Sequence, residues 1–174
     1  MSDRDALWSF IVTLYGEKAV MAACLALQDE HGLDVDLLLY ACWAAGRGYS
    51  LDDADLDRLS AAAKAWQDGL IKPVRALRRR LRRDRLGAGA DRAESFRRRL
   101  EAIEIEAERV ALDLMASALP IPAGDPAGAE AARLAEAALG RIVKRAGAER
   151  DPATRARTEI LISALGKARG MASD

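Results

Sequence analysis

Apolar side chains recur along this chain at intervals of three and four residues, the period of amphipathic helices. Leu7, Trp8, Ile11, Leu14 and Tyr15 mark the buried face of a first helix. Ser2 with Asp5 three residues on resembles a capping box, and Gly16 tolerates the left-handed conformation that ends a helix. A second helix over 17–30 turns Val20, Cys24 and Leu27 inward, with Met21 and Leu25 beside them, and stops at Gly32. Asp34 is placed to cap a third helix over 35–45. Leu37, Leu38, Ala41, Cys42 and Ala45 supply its apolar side, and Leu39, Tyr40 and Trp43 extend that side nearly all round. So little polar surface predicts a place at the centre of the core.

Ser50 and Asp53 predict the start of a fourth helix, which carries Leu56, Leu59, Ala63 and Trp66. Gly69 and Pro73 then predict a break, because a residue before proline avoids the α region and proline suits a first helical turn. The fifth helix has Val74, Leu77 and Leu81 on one side and arginine almost everywhere else. After the flexible stretch 86–90, Phe96, Leu100, Ile103, Ala107, Val110 and Leu114 recur at spacings of 4, 3, 4, 3 and 4. This heptad-like stripe outweighs the local strand-like alternation of residues 103–106. Helices five and six are therefore expected to pack as an antiparallel hairpin through these two seams.

Three prolines and two glycines within residues 120–128 predict a linker. Two Ala-rich helices follow, over 129–146 and 152–169, the second opened by Asp151 and Pro152. Their inner residues are Leu134, Leu139, Ile142 and Val143, then Ile160, Leu161 and Leu165. With so few large apolar side chains, this tail is expected to dock on the main body or on a partner. The fold class is all-α: a helical domain over 2–119 (core 2–71, hairpin 72–119), a linker over 120–128 and a two-helix extension over 129–170.

The length of 174 residues fits one such domain with an extension. Cys24 and Cys42 both lie in apolar runs and are read as reduced core residues. No apolar stretch approaches the roughly 20 residues that span a bilayer. The first residues lack an apolar run with a basic flank, so a cytoplasmic setting is expected and no membrane association.

Charge changes the picture more. The chain is formally neutral, but residues 1–71 net −7, 72–99 net +9, 100–119 net −4 and 120–174 net +2. A basic block between two acidic ones is either an internal clasp or a surface offered to an anionic partner.

Trp8, Tyr15, Val20, the run Cys24-Leu25-Ala26-Leu27-Gln28-Asp29, Gly32, the run Asp34-Val35-Asp36-Leu37-Leu38-Leu39, Trp43, Trp66 and Pro73-Val74-Arg75 form a further pattern. Through them the stretch from Trp8 to about Leu81 resembles an uncharacterised family of small proteobacterial helical proteins. Its members more often read Asp-Val-Asn where this chain has Asp34-Val35-Asp36. The tail after Gly128 lies outside the likeness. The resemblance implies a helical fold and a bacterial cytosolic setting, and it brings no activity with it.

Candidate chemistry is sparse. Gln28, Asp29, His31, Asp34 and Asp36 flank the turn between helices two and three, beside the Trp43 face. Such oxygen-rich clusters suit a hard cation or a small polar ligand. The favoured reading is structural, with Asp34 as a cap and Asp36 in a first turn where the helix dipole favours an acid. Cys24, His31 and Cys42 match no zinc spacing, and nothing marks either thiol as activated. No metal and no cofactor is expected. The acidic run 52–57 lacks the spacing of a diphosphate-binding box, and the tryptophans and tyrosines read as core.

The basic segment is the strongest candidate. Arg75, Arg78, Arg79, Arg82, Arg83, Arg97 and Arg98 are the expected partner-contacting residues. Glu101, Glu104, Glu106 and Glu108 are equally available to pair with them inside the fold. The expected function is a non-enzymatic interaction or adaptor module working through the hairpin, its partner another protein or a second copy of the chain. Nucleic-acid or polyanion binding ranks second, because the segment lacks interleaved aromatics and the whole chain is neutral. A small-ligand or enzyme site at Gln28, Asp29, Asp34, Asp36 and Trp43 ranks third.

Overall fold

Asp34 caps its helix as its position predicts, with Oδ1 accepting from the backbone N–H of Asp36 at 3.0 Å and of Leu37 at 3.4 Å. The computed structural model describes residues 3–171, with side chains as far as Gly166. Ser2, and with it the expected first cap, lies outside the described residues. The helices are α1 (Asp3–Gly16), α2 (Lys18–His31), α3 (Val35–Gly46), α4 (Asp53–Trp66), α5 (Lys72–Arg83), α6 (Ala90–Ala118), α7 (Gly128–Arg145) and α8 (Pro152–Met171). No strand occurs among the described residues, and no single helix there is long and apolar enough to cross a membrane.

α3 is the central element. Every residue from Asp36 to Gly46 is buried. α1 and α7 pack against it, and α8 lies across α1, α2 and α7. One apolar cluster runs from Leu7 through Leu165. The C-terminal pair thus docks on the body. Arg145 reaches Asp53 and Asp57, and Arg157 forks onto Glu30 at 2.6 and 2.8 Å.

α4 begins two residues later than the Ser50–Asp53 pattern suggests. Asp52 is the cap, and Asp55 reciprocates to the Asp52 backbone N–H.

The expected break at Gly69–Pro73 is absent. Lys72 has helical angles (φ −59°, ψ −45°), and α4 runs into α5 through a π-helical segment, Gln67–Ile71. Proline lacks an N–H and crowds the carbonyl four residues back. The wider turn relieves that crowding, with the Lys72 N–H donating to the Gln67 carbonyl.

The hairpin seams are also corrected. The inner face of α6 is Ala93, Leu100, Glu104, Ala107, Ala111, Leu112 and Met115. Phe96, Ile103, Val110 and Leu114 are instead 45, 46, 39 and 38 % exposed. α5 has no fully buried side chain, and Leu77 faces outward. Arg75 and Arg78, half-buried, lie on its inner side, and their guanidinium groups reach Glu104.

The Pro/Gly segment after α6 is held down. Leu119 and Ile121 are buried, the Tyr40 hydroxyl donates to the Leu119 carbonyl at 2.6 Å, and Arg47 Nε donates to the Pro122 carbonyl at 3.0 Å. Gly124 passes so close to α3 that a Cβ there would stand 2.2 Å from the Arg47 carbonyl oxygen.

Candidate functional site

Four elements bring their polar side chains together at one edge of the core: the α2–α3 turn, the π-helical segment, α5 and α6. Asp36, 5 % exposed, accepts from Gln67 Nε2 at 2.8 Å, and the same nitrogen lies 3.3 Å from Asp34 Oδ1. Burial, and then the like charges of Asp34 and Glu108, hold the Asp36 carboxyl well above the usual range. Asp34 is raised by burial in spite of its two backbone donors.

Arg75 spans two acids, with Nε on Glu104 and Nη2 on Glu108, both at 2.7 Å. Arg78 Nε meets the other Glu104 oxygen at 2.6 Å. Burial pushes the Glu104 carboxyl up, but the bonds from Arg78 and Arg75 outweigh it and leave Glu104 below its ordinary value. For Glu108 burial wins, and its carboxyl is raised. The Tyr15 phenol is pushed up to about 12, mainly by burial.

Beside this network opens a cavity of about 550 Å³. Gln28, Asp34 and Gln67 form one side, with Ser60, Lys64, Asp68, Lys72, Arg75, Arg79 and Arg83 around the rest. Lys64 and Lys72 converge on the two oxygens of Asp68 at 2.7 and 2.5 Å. Hydrogen bonds from these lysines hold the Asp68 carboxyl down at about 2. Arg79 bonds Asp29 and approaches Gln28 Oε1 at 3.5 Å.

The structure therefore joins two groups that the sequence keeps apart. Gln28, Asp29, Asp34 and Asp36 meet Arg75 and Arg79 across the cleft. Trp43 does not join them. It lies two turns further along α3, edge-on to Phe10 at 5.3 Å and under the Arg47 guanidinium at 4.7 Å.

Of the other expected contact residues, Arg97 pairs with Glu94 and Glu101, and Arg98 stands 3.9 Å from Glu94. Arg82 and Arg83 are exposed and have no side-chain partner among the described residues. Sequence reasoning missed Ser60, Lys64, Gln67 and Asp68. The one signal for Gln67 was its place beside the Gly69–Pro73 irregularity.

Two further places carry polar chemistry. At the hairpin tip, Leu81, Leu86 and Phe96 line a cavity of about 640 Å³ rimmed by Arg85, Arg92 and Arg99. The Arg99 guanidinium stacks 5.5 Å from the Phe96 ring. At the start of α8, His31 Nε2 lies 3.2 Å from Asp151 Oδ2 and 2.9 Å from Thr154 Oγ1. Both partners share one ring nitrogen, so this is not the relay geometry of a catalytic triad. With Glu30 committed to Arg157, the cluster pins α8 to α2. The Cys24 thiol is pushed up to about 12 by burial and Cys42 is raised further, which leaves both inert as nucleophiles.

A family model described as "Protein of unknown function (DUF2390)" matches residues 6–115, from α1 to near the end of α6. Neither a curated protein nor a solved structure matches the chain.

Proposed function

The chain belongs to this DUF2390 family, and we propose that it is a non-enzymatic helical interaction module whose working surface is the outer face of the α5–α6 hairpin. Its partner is a second copy of the chain, docked antiparallel along α6. The observation that carries this is the apolar strip on α6. Phe96, Ile103 and Val110 repeat at seven-residue spacing, with Leu114 alongside, and all four are between 38 and 46 % exposed. Exposed apolar surface arranged as one strip marks a docking face.

Charge favours a second copy laid antiparallel. Residues 90–99 of α6 carry four arginines against Asp91 and Glu94, and residues 100–118 carry five acids against Arg109. An antiparallel partner sets each basic end against an acidic one, so burial supplies the affinity and the charges set the orientation.

Solution mass by light scattering, at low and high salt, with and without duplex DNA, tests this. A dimer that persists in high salt and becomes a monomer in Ile103→Glu/Val110→Glu is the expected result. A monomer at every salt would overturn it. A monomer that gains mass only with DNA at low salt would replace it with polyanion binding through Arg80, Arg82, Arg83, Arg85 and Arg92.

A further inference from the structure

We propose that the cavity bounded by the α2–α3 turn, α4, the π-helical segment and α5 binds a phosphate-bearing small molecule. Its wall carries five cations, among them Lys64, Lys72 and Arg83, against two carboxylates, Asp34 and Asp68. Asp68 is shared by Lys64 and Lys72, while Arg75 and Arg79 are matched by acids off the wall. Asp34 accepts from two backbone N–H groups and lies against Gln67. Read without the cleft, the acids of this turn suit a hard cation. With the cleft in place, cations outnumber carboxylates on the wall.

The cations are arranged for an anion with several oxygens. Lys64 and Lys72 each stand four residues from Asp68, on opposite sides of it, and the π-helical segment brings both ammonium groups to its one carboxylate. That leaves one positive charge unmatched. Arg83, at the rim, has no side-chain partner among the described residues. Arg75 is held in place from behind by Glu104 and Glu108, which fixes its position without closing the cavity. A phosphate group offers three oxygens and up to two negative charges, a match for two ammonium points and a guanidinium fork. Gln28 and Ser60 add neutral hydrogen-bonding groups to the wall. About 550 Å³ exceeds what inorganic phosphate fills and lies within the range of small-metabolite sites.

The test is a ¹H–¹⁵N chemical-shift titration of the full chain with inorganic phosphate, against sodium chloride of equal ionic strength. We expect saturable shifts centred on residues 32–34 and 64–72. Lys64→Gln/Lys72→Gln should weaken binding about tenfold or more, in line with the loss of charge-assisted hydrogen bonds. Both side chains are mostly solvent-exposed, so the fold tolerates the change. Arg83→Gln should weaken binding too. Arg92→Gln/Arg98→Gln, which removes the same charge from the hairpin, should leave it unchanged. Shifts that do not saturate, that chloride reproduces, or that survive intact in the lysine double variant would overturn the site.

Discussion

Glu104 is the residue on which the α5–α6 hairpin turns, and Glu104→Gln measures how much. Its side chain is 6 % exposed, and the carboxylate takes bonds of 2.7 Å from Arg75 and 2.6 Å from Arg78. Removing one partner of a buried ion pair costs about 3–5 kcal/mol. Here the loss is partial. Arg75 keeps Glu108 at 2.7 Å, and the Arg78 side chain, 22 % exposed, can swing toward water. We therefore expect about 2–3 kcal/mol, below the full cost of a broken buried pair. For a chain of this size that lowers the thermal midpoint by about 4–12 °C. Urea unfolding at pH 7, followed by far-ultraviolet circular dichroism, gives the number directly. Glu94→Gln, at an exposed pair, should leave the midpoint in place. Glu104→Leu/Arg78→Leu should recover part of the loss, since replacing both members of a pair by apolar groups is often neutral but Arg75 still loses one of its two acids. A Glu104→Gln midpoint equal to wild type, or a double variant weaker than the single, would refute the view that this pair closes the hairpin.

Two further outcomes follow from the buried acids and the strap. The folded Asp36 carboxyl titrates above its unfolded value, so the native state binds more protons between the two and stability falls as pH rises from about 4. Asp36→Asn keeps an acceptor for Gln67 and removes that term, so urea midpoints should show it more stable than wild type at pH 7, with the gain shrinking toward pH 4. Glu104 acts with the opposite sign and lower on the scale, its contribution lost as pH falls through a depressed folded value. Gly124→Ala places a methyl group against the Arg47 carbonyl and should cost about 1–3 kcal/mol in thermal unfolding. An unchanged midpoint there would mean that the strap lifts away from α3 freely.

Much of the fold is legible because its signals are local. Gly32 does adopt the left-handed conformation (φ 68°) that ends α2, Asp34 caps α3, and the nearly all-apolar α3 is the centre of the core. Where sequence reading fails, a tertiary demand overrides a local rule. Pro73 argues for a break, yet Ile71, with no exposed surface, and the buried Gln67 hold the segment helical, and the backbone widens instead. The stripe of α6 is real, but two arginines on α5 require an acid opposite them. The helix accordingly turns Glu104 inward and leaves Phe96 and Ile103 outside. Hydrophobic periodicity has no means of placing a buried glutamate. The cavity was illegible for another reason. Gln28 and Asp34 meet Lys64, Lys72 and Arg83 only through the packing of the α2–α3 turn against α4 and α5, and the two lysines converge only because the helix between them widens.

The basic block proves to be a clasp at one end and not at the other, and antiparallel packing is the reason. Arg75 and Arg78, near the base of the hairpin, face the acidic half of α6 and are neutralised there. Further toward the tip, Arg82 and Arg85 run alongside the opposite end of α6, where the sequence supplies Arg97, Arg98 and Arg99. Asp29 relieves only Arg79. Like charges at this density oppose the hairpin by themselves. If the fold were the only demand on these residues, neutral side chains at Arg82 and Arg85 would serve it better. In the proposed dimer the cost is offset, because Glu106 and Asp113 of the second copy come to the tip together with the apolar strip between them. In that proposed dimer the exposed Phe96, Ile103 and Leu114 and the unneutralised Arg82 and Arg85 share one explanation, a surface completed by another chain.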